Sequence, residues 1–285
     1  MANIDRLVLG TVQFGMNYGI NNTSGQVIPK DVNRILGEAG KAGIRLIDTA
    51  YDYGNSEVIL GSSPSLHVHH FRIVSKYAKT DLSPIEQYKV SSQRLQADKL
   101  YAYMVHNFNT YRDNPKIWSD FVRLKEDGIV DRIGFSLYSI TELEFILDNI
   151  LEVNIVQVPY NVLDRQFEKW FPVLKEMGIE VHTRSAFLQG LLFKDRNSFE
   201  GRIKPLGKYV SLIQDYCQEH QMEVQDLALG YVLSSKADGV LFGVDSLKQL
   251  RKNIQSSKHD ITSSDIDFIQ SVIVEEKELL SPVNW

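Results

Sequence analysis

The sequence predicts a single-domain α/β barrel of eight parallel strands, and three observations lead to this prediction. Eight short apolar runs with strand character alternate with segments of helical periodicity. Successive runs end at intervals of 28 to 30 residues in the first half of the chain, which is the length of one strand and one helix with their loops. A chain of 285 residues with 43% apolar and 24% charged residues also suits one large core better than two domains.

The predicted strands, in chain order, are Arg6 to Thr11, Ile44 to Asp48, Phe71 to Lys76, Leu100 to His106, Arg132 to Ser136, Ile155 to Pro159, Ile179 to Thr183 and Gly239 to Phe242. This count and alternation predict the (β/α)8 arrangement of a TIM barrel. Asp31 to Gly43 is amphipathic and predicts a helix capped by Asp31 and closed by Gly43.

Two later segments depart from the regular alternation. Arg184 to Lys208 is a polar, glycine-containing insertion after the seventh strand, where we expect a substrate or lid loop. Ile261 to Leu280 predicts a terminal helix, followed by the tail Ser281 to Trp285. No change of composition marks a domain boundary, so residues 1–285 are predicted to form one domain.

Composition and charge exclude several classes of function. The net charge of −5 and the absence of a basic run give no footprint for nucleic acid or an anionic membrane, which favours a small-molecule substrate. The amino terminus has no signal pattern and no apolar run reaches the length of a membrane span, so we expect a cytoplasmic protein. The single Cys217 excludes an internal disulfide. His67, His69 and His70 lack acidic companions at ligand spacing, so no metal site is predicted.

Four polar residues stand at or just beyond the ends of the second, third and fourth predicted strands: Asp48, Tyr53, Lys76 and His106. Strand ends of a barrel meet on one face, so these side chains should lie close together. A lysine ammonium near a phenol lowers the pKa of the phenol, and the histidine could polarise a carbonyl oxygen. Each residue taken singly also fits a structural role, as a rim ion pair, a loop aromatic or a core histidine.

The sequence resembles the aldo-keto reductase superfamily over nearly its whole length. The resemblance rests on Gly10-Thr11, Asp48-Thr49-Ala50-x-x-Tyr53-Gly54 with Ser56-Glu57, Ser75-Lys76, His106, Ile133-Gly134-x-Ser136, Gln157-x-x-Tyr160-Asn161, and the glycine-led loop before Asn253. It implies reduction of an aldehyde or ketone by a nicotinamide cofactor. It also implies a catalytic tetrad of Asp48, Tyr53, Lys76 and His106, with Tyr53 as general acid and base. Tyr51 and Asp52 are then predicted to be spacers.

The same resemblance implies a set of cofactor-binding residues: Gly10, Thr11, Ser136, Gln157, Arg184, Ser185, Phe187, Gln189, Gly190, Gly243, Val244, Asp245, Ser246, Gln249 and Asn253. Ser136 and Gln157 should contact the nicotinamide carboxamide, although Leu137 stands where the family has an asparagine. Arg184 stands where the family has an aromatic that stacks on the nicotinamide, and its charge would disfavour the oxidised ring. NADP(H) is the preferred cofactor by family habit. Asp245 and the lack of a basic residue at Gly243 or Gln249 weaken the case for a 2′-phosphate, which leaves NAD(H) as the alternative.

Gly10 to Gly25 and Phe187 to Leu192 are similar to bacterial members associated with surface-polysaccharide sugar metabolism. This similarity suggests a sugar or sugar-derived substrate. The substrate candidates are Phe14, Asn17, Tyr18, Asn107, Phe108 and Gln189. The alternative is that these loop residues only close the mouth of the barrel.

Two other functions remain open from the sequence. One is a non-catalytic protein that senses the cofactor on the same barrel, as some family members do. The other is a Schiff-base lyase or isomerase, for which Lys76 is the candidate lysine.

Overall fold

The computed structural model describes residues 3–150 and 152–285. Its strands form a closed barrel in which neighbours along the chain pair in parallel and the first strand pairs with the eighth. The strands are β1 Leu7–Gly10, β2 Leu46–Asp48, β3 Arg72–Tyr77, β4 Leu100–Val105, β5 Val130–Ser136, β6 Ile155–Pro159, β7 Glu180–Arg184 and β8 Gly239–Gly243. The predicted fold is confirmed, and each strand bound lies within two residues of its predicted position.

Strand alternation decides which side chains enter the barrel. Leu46, Val74 and Ile155 belong to a buried cluster made only of strand residues, which fills the barrel interior. Side chains two positions apart on a strand point to the same face. Asp48, two positions beyond Leu46, therefore points inward at the carboxyl end of β2. The same spacing points Lys76, two positions beyond Val74, and Gln157, two positions beyond Ile155, into the barrel near the carboxyl ends of β3 and β6.

Helices surround the barrel and bury their apolar faces against it. They are α1 Val12–Gly15, α2 Pro29–Ala42, α3 Ser56–Gly61, α4 Pro64–Val68, α5 Pro84–Leu95, α6 Phe108–Asp113, α7 Trp118–Glu126, α8 Ile140–Asn149, α9 Trp170–Glu176, α10 Gly207–Glu219, α11 Val224–Ser234, α12 Leu247–Ser256 and α13 Ser263–Ser271.

The predicted start of the first long helix is wrong, whereas its end is confirmed. α2 begins at Pro29 with Ile28 at the N-cap position and no side-chain cap. Proline suits the first position of a helix because its φ is fixed and its missing N–H would have no helical partner. Asp31 lies within the first turn, where its carboxylate contacts Arg34 at 3.1 Å. Gly43 ends the helix with a φ of 103°, a left-handed conformation that favours glycine.

The insertion after β7 and the carboxyl-terminal segment both contain short 3₁₀ segments. The insertion after β7 contains three short 3₁₀ segments, Leu188–Phe193, Arg196–Ser198 and Gly201–Leu206, before α10 begins. The predicted terminal helix is wrong beyond Ser271, where α13 ends. The run Val272-Ile273-Val274 that follows is β-branched and disfavours helix. The chain then forms 3₁₀ segments at Lys277–Leu280 and Pro282–Asn284. None of the helices in the described part of the chain is long and apolar enough to cross a membrane.

Candidate active site

The carboxyl ends of the strands surround a cavity of about 690 Å³. Sites for cofactors and small ligands have volumes of about 300–1,000 Å³, so this cavity can hold a ligand of that class. A second cavity of about 490 Å³ adjoins it and shares Tyr138, Arg184 and Pro282 with it. Pro282 shows that the carboxyl-terminal segment, whose role the sequence left open, closes one side of both cavities.

Asp48, which lines the cavity, forms a buried ion pair with Lys76. Lys76 Nζ lies 2.5 Å from Asp48 Oδ1 and donates a second hydrogen bond, of 2.9 Å, to the carbonyl of Thr49. Gln157 Nε2 donates to the other carboxylate oxygen of Asp48 at 2.8 Å. Burial lowers the pKa of Lys76, and the Asp48 carboxylate opposes that effect. The side chains of Lys76 and Asp48 are 0% and 3% exposed, so water does not screen the pair.

The phenol of Tyr53 lies above this pair and lines the cavity. Lys76 Nζ is 5.3 Å from the centre of its ring. The expectation that Lys76 lowers the pKa of this phenol is wrong. Burial, followed by the negative charge of Asp48, raises the pKa of Tyr53 well above its usual value of 10. Because the Asp48 carboxylate is in direct contact with the Lys76 ammonium, the negative charge of Asp48 offsets most of the effect of the Lys76 positive charge on the phenol.

His106 lines the same cavity and contacts a residue that the sequence analysis set aside. Its Nδ1 lies 2.9 Å from Asp52 Oδ1, and its ring meets the edge of Tyr53 with 5.5 Å between ring centres. The prediction that Asp52 is only a spacer is therefore wrong. Burial would raise the pKa of Asp52, but its hydrogen bond to His106 and the nearby charges lower it overall. The contact depends on the conformation of the loop between β2 and α3, which brings Asp52 to His106. The spacing of residues in the sequence therefore did not predict it.

Most of the predicted cofactor residues come together around the cavity. Those that line it are Gly10, Thr11, Ser136, Gln157, Arg184, Ser185, Phe187, Gln189, Gly190, Gly243, Asp245, Gln249 and Asn253. Val244 and Ser246 do not line it: Val244 is fully buried in the core, and the Ser246 hydroxyl caps α12 by accepting a hydrogen bond from the amide of Gln249.

Comparison with known proteins agrees with this geometry. The model of the aldo/keto reductase family matches residues 6–274, which is most of the chain. The chain belongs to the aldo/keto reductase family. This membership confirms the prediction of an NAD(P)H-dependent oxidoreductase that reduces carbonyl groups.

Individual aldo/keto reductases and related enzymes are similar to this chain at low identity. An uncharacterized oxidoreductase of Bacillus subtilis, YqkF, is 28% identical over 83% of this chain and 86% of its own length. The D-arabinose 1-dehydrogenase of Saccharomyces cerevisiae is 23% identical over 97% of this chain and 92% of its own length. Among solved structures, the holo form of the aldo-keto reductase AKR11C1 from Bacillus halodurans superposes with a TM-score of 0.77. It is 22% identical, with 95% of this chain and 94% of that chain covered, and supports the fold.

The residues of the cavity fit the nicotinamide cofactor that aldo/keto reductases use. A Cβ atom at Gly243 would lie 2.5 Å from Gln13 Nε2, so a larger residue here would displace the end of the Gln13 side chain, which also lines the cavity. Two buried polar atoms on the lining, Gln13 Oε1 and Arg184 Nε, have no hydrogen-bond partner within the described ranges. Unused buried donors and acceptors are costly unless a ligand or water satisfies them, which supports a polar occupant.

Arg184 presents a planar cation to this aldo/keto reductase cavity. Its guanidinium stacks on the ring of Tyr138 at 4.2 Å and donates to the carbonyl of Leu137 at 3.1 Å. No carboxylate in residues 3–150 or 152–285 forms an ion pair with it. Arg184 therefore lies on the cavity lining and is not engaged in an ion pair with a described carboxylate.

At the other end of the cavity, polar residues at the start of α12 bond to one another. Gln249 Oε1 accepts a hydrogen bond of 2.7 Å from the amide of Asp245, and Gln249 Nε2 donates to the Asp245 carboxylate at 3.3 Å. Asn253 accepts a hydrogen bond from Gln225. Lys252 also lines the cavity, with its Nζ 3.1 Å from Glu223. The predicted adenosine end of the cavity thus contains both a negatively charged side chain, Asp245, and a positively charged one, Lys252.

The predicted substrate residues are only partly brought together. Tyr18 and Gln189 line the cavity, whereas Phe14, Asn17, Asn107 and Phe108 do not. Phe14 is fully buried within α1, and Asn107 caps α6 by accepting from the amide of Asn109 at 2.9 Å. Phe108 packs into an aromatic cluster with Tyr111, Phe135 and Phe145. Short helices begin soon after β1 and β4 and turn the rings of Phe14 and Phe108 into the core, whereas Asn17 and Asn107 are exposed.

Other lining residues escaped the sequence analysis. They are Val12, Gln13, Gly19, Asn21, Asn22, Tyr138, Ala186, Phe193, Gln225, Leu241, Phe242, Lys252, Pro282 and Val283. Gln13 and Tyr138 directly follow predicted strand-end motifs, so their position two or three residues beyond a strand was a usable signal. The tail residues Pro282 and Val283 had no such signal, because the strand pattern does not show that the carboxyl-terminal segment returns to the cavity.

Proposed function

We propose that this aldo/keto reductase reduces the aldehyde or ketone group of a sugar or sugar-derived metabolite, with Tyr53 as the proton donor. The observation that carries this proposal is the position of Tyr53, which lines the cavity with its ring 5.3 Å from Lys76 Nζ of the Lys76 to Asp48 ion pair. The hydroxyl forms no hydrogen bond with any residue that the structure describes. Its proton is therefore available to a ligand.

The raised pKa of Tyr53 fits the direction of reduction. The phenol keeps its proton at neutral pH and presents it to the carbonyl oxygen. When bound, the cofactor supplies a hydride to the carbonyl carbon, and the oxygen then develops alkoxide charge. An alkoxide is a stronger base than a phenolate, so the Tyr53 proton transfers to it in spite of the raised pKa. His106, on the same cavity wall, stabilises the charge on that oxygen.

The cofactor would be held by the residues that line the cavity. Ser136 and Gln157 would contact the carboxamide, and Gln157 uses its Nε2 on Asp48, which leaves its carbonyl oxygen for the ligand. Arg184, stacked on Tyr138, would lie against the nicotinamide ring. A cation in that position disfavours the oxidised, positively charged ring and so supports the reductive direction.

NADP(H) is the cofactor that we propose, with NAD(H) as the alternative. Lys252 on the cavity lining supports a 2′-phosphate, which would compete with Glu223 for its ammonium group, whereas Asp245 opposes one. Fluorescence titration with both reduced cofactors tests the preference. We expect NADPH to bind at least about tenfold more tightly, a difference of about 1.4 kcal/mol. Equal or weaker binding than NADH would overturn the preference for NADPH without affecting the reaction class.

Two features support a sugar substrate. Tyr18 and Gln189 place polar groups on the lining of the cavity. The relative from Saccharomyces cerevisiae that spans nearly the whole chain is a D-arabinose 1-dehydrogenase. A screen of aldoses, keto-sugars and simple aldehydes at equal concentration tests this part of the proposal. Higher kcat/KM for every simple aldehyde than for any sugar would contradict it.

The Schiff-base alternative requires the Lys76 amine to reach a substrate. Lys76 is fully buried and its amine bonds to Asp48 and the Thr49 carbonyl, so nothing in the geometry favours that chemistry. The cofactor-sensing alternative gains no specific support, because all four predicted catalytic side chains are assembled at one end of the barrel.

Replacing Tyr53 with phenylalanine tests the proposed reaction. Tyr53→Phe removes only the hydroxyl that donates the proton, and general acid catalysis contributes about 10²- to 10⁴-fold. We expect carbonyl-dependent oxidation of the reduced cofactor to fall by that factor, measured by cofactor absorbance. Cofactor affinity, measured by fluorescence titration, should stay within about twofold. Unchanged turnover in this variant would rule out Tyr53 as the acid.

A further inference from the structure

Asp52 and His106 form a contact that has no assigned role in the reaction proposed above. His106 Nδ1 lies 2.9 Å from Asp52 Oδ1, while the imidazole lines the cavity with its side chain 20% exposed. A carboxylate accepts hydrogen bonds and cannot donate them when ionised. Nδ1 must therefore carry a hydrogen in this arrangement. Nε2, on the other side of the ring, is the nitrogen that remains for a ligand.

The bonding of Nδ1 decides what Nε2 can do. A neutral imidazole carries one hydrogen, so a ring with its hydrogen on Nδ1 can only accept a hydrogen bond at Nε2. A carbonyl oxygen also only accepts. The two can pair only if the ring is protonated on both nitrogens. A hydroxyl group, by contrast, can donate to a neutral Nε2.

We propose that Asp52 is a positioning residue that holds the Nδ1 hydrogen of His106, so that His106 donates to a carbonyl substrate only as the imidazolium and accepts from an alcohol as the neutral ring. This inference rests on the proposed carbonyl reduction. It makes His106 sensitive to the oxidation state of the bound substrate, because the carbonyl and the alcohol require different forms of the ring. The same logic orients the histidine of a hydrolase triad through a buried aspartate.

Other charged groups of the site act on the neighbours of His106. Asp52 and Tyr53 face His106 from the loop after β2, and the lowered pKa of Asp52 keeps its carboxylate ionised. Lys76, on β3, acts on Asp52 by its charge, and Arg184, on β7, acts on Tyr53. The backbone amide of His106 bonds to the carbonyl of Tyr77 at 3.0 Å and fixes the main chain on which the ring turns.

Nitrogen NMR of the protein labelled with ¹⁵N-histidine tests the positioning directly. The chain has seven histidines, so His106 is assigned by the signal lost in His106→Asn. In the unsubstituted protein we expect the neutral ring to carry its hydrogen on Nδ1. In Asp52→Ala we expect the form with hydrogen on Nε2 to appear. A wild-type ring with hydrogen on Nε2, or an Asp52→Ala spectrum identical to wild type, would overturn the inference.

Asp113 provides a matched control. Its side chain is 49% exposed, as is that of Asp52, and it forms an ion pair of 2.7 Å with Lys79 away from the cavity lining. Asp113→Ala should leave both the His106 spectrum and turnover unchanged. Asp52→Glu, which keeps a carboxylate, should restore part of the wild-type hydrogen position, whereas a general loss of structure would not be rescued in this way.

Turnover separates this inference from the proposed function. Residues that orient the histidine ligands of metal sites affect activity by about 10- to 100-fold, and we expect a factor of the same size for a histidine that contacts a substrate. We expect Asp52→Ala to lower kcat for carbonyl reduction by that factor, with the affinity for reduced cofactor unchanged within about twofold. If wild type reduces carbonyls and Asp52→Ala does so equally well, the inference fails and the function stands. If wild type reduces none while the ring is held as expected, the proposed function fails and Asp52 keeps only its orienting contact.

Discussion

Two clusters at opposite ends of the barrel contain the same kinds of side chain. The amino-terminal end has the carboxylate Glu180, the phenol Tyr101, the cation Arg132 and the imidazole His182. The carboxyl-terminal end has a carboxylate, a phenol, a lysine and a histidine in the predicted tetrad. Residue types alone therefore do not distinguish the site of the chemistry from a structural network.

The two phenols differ in their hydrogen bonds. Tyr101 donates to both oxygens of Glu180, at 2.9 and 2.7 Å, and the guanidiniums of Arg72 and Arg132 each lie 4.4 Å from the centre of its ring. Tyr53 has no hydrogen-bond partner in the part of the chain described here and faces the 690 Å³ cavity. In the first cluster the phenol is bonded to a carboxylate, and in the second the phenol leaves a proton donor for a ligand. A phenol without a hydrogen-bond partner, on a residue that faces a cavity, is what distinguishes the candidate active site from the structural network.

The largest effect is expected from Lys76→Met at the carboxyl end. This substitution leaves the Asp48 carboxylate buried without its ion-pair partner, and breaking a buried pair in this way costs about 3–5 kcal/mol. We expect the free energy of unfolding, measured with urea, to fall by that amount. The double variant Asp48→Asn with Lys76→Met should recover most of this loss, because neither charge remains buried. Turnover should be lost in both variants, because each lacks at least one of the four predicted catalytic side chains. A single variant as stable as wild type would show that the pair is not sealed from water.

A smaller, pH-dependent effect is expected from Glu180→Gln at the amino end. Burial would raise the pKa of Glu180, but hydrogen bonds and charges from His182, Tyr101 and Arg132 outweigh it and lower the pKa from 4.5 to about 2. At about 1.4 kcal/mol per pKa unit this corresponds to about 3 kcal/mol of stability. Because the pKa is lower in the folded protein, the stabilisation is present above pH 4.5 and is lost as the pH falls towards 2.

The corresponding measurement is urea unfolding at several pH values. At pH 7 the Glu180→Gln variant should be less stable than wild type by about 3 kcal/mol, and the difference should shrink as the pH falls from 4.5 to 2. Turnover at pH 7 should be unchanged under conditions where the variant is folded, because Glu180 lines neither of the two cavities described above. A difference in stability that does not change with pH would contradict the assigned ionisation of Glu180.

The comparison also shows what the sequence could predict. The strands and the meeting of Asp48 and Lys76 follow from local periodicity, since two-residue alternation and strand length determine which side chains enter the barrel. The contact of Asp52 with His106 depends on a loop path and a ring orientation that no period describes. The direction of the Tyr53 pKa shift depends on how strongly burial opposes the effect of nearby positive charge. Sequence spacing predicts which side chains lie close together, but not how deeply the phenol is buried. Phe14 was misassigned for a similar reason, because the short helix α1 turns its ring into the core.

The smallest effect is expected from Tyr101→Phe, the counterpart of Tyr53→Phe. The Tyr101 hydroxyl bonds to a charged carboxylate, and removing such a bond costs about 1.5–3 kcal/mol, towards the lower end here because Arg132 and His182 still bond to Glu180. We expect the free energy of unfolding to fall by about 1.5 kcal/mol, while kcat and cofactor affinity stay unchanged. The two phenylalanine variants should thus have opposite profiles: Tyr101→Phe loses stability and keeps turnover, and Tyr53→Phe loses turnover and keeps stability. If Tyr101→Phe also lowered kcat, the two ends of the barrel would be coupled, and hydrogen bonding of the phenol would no longer suffice to separate network from site.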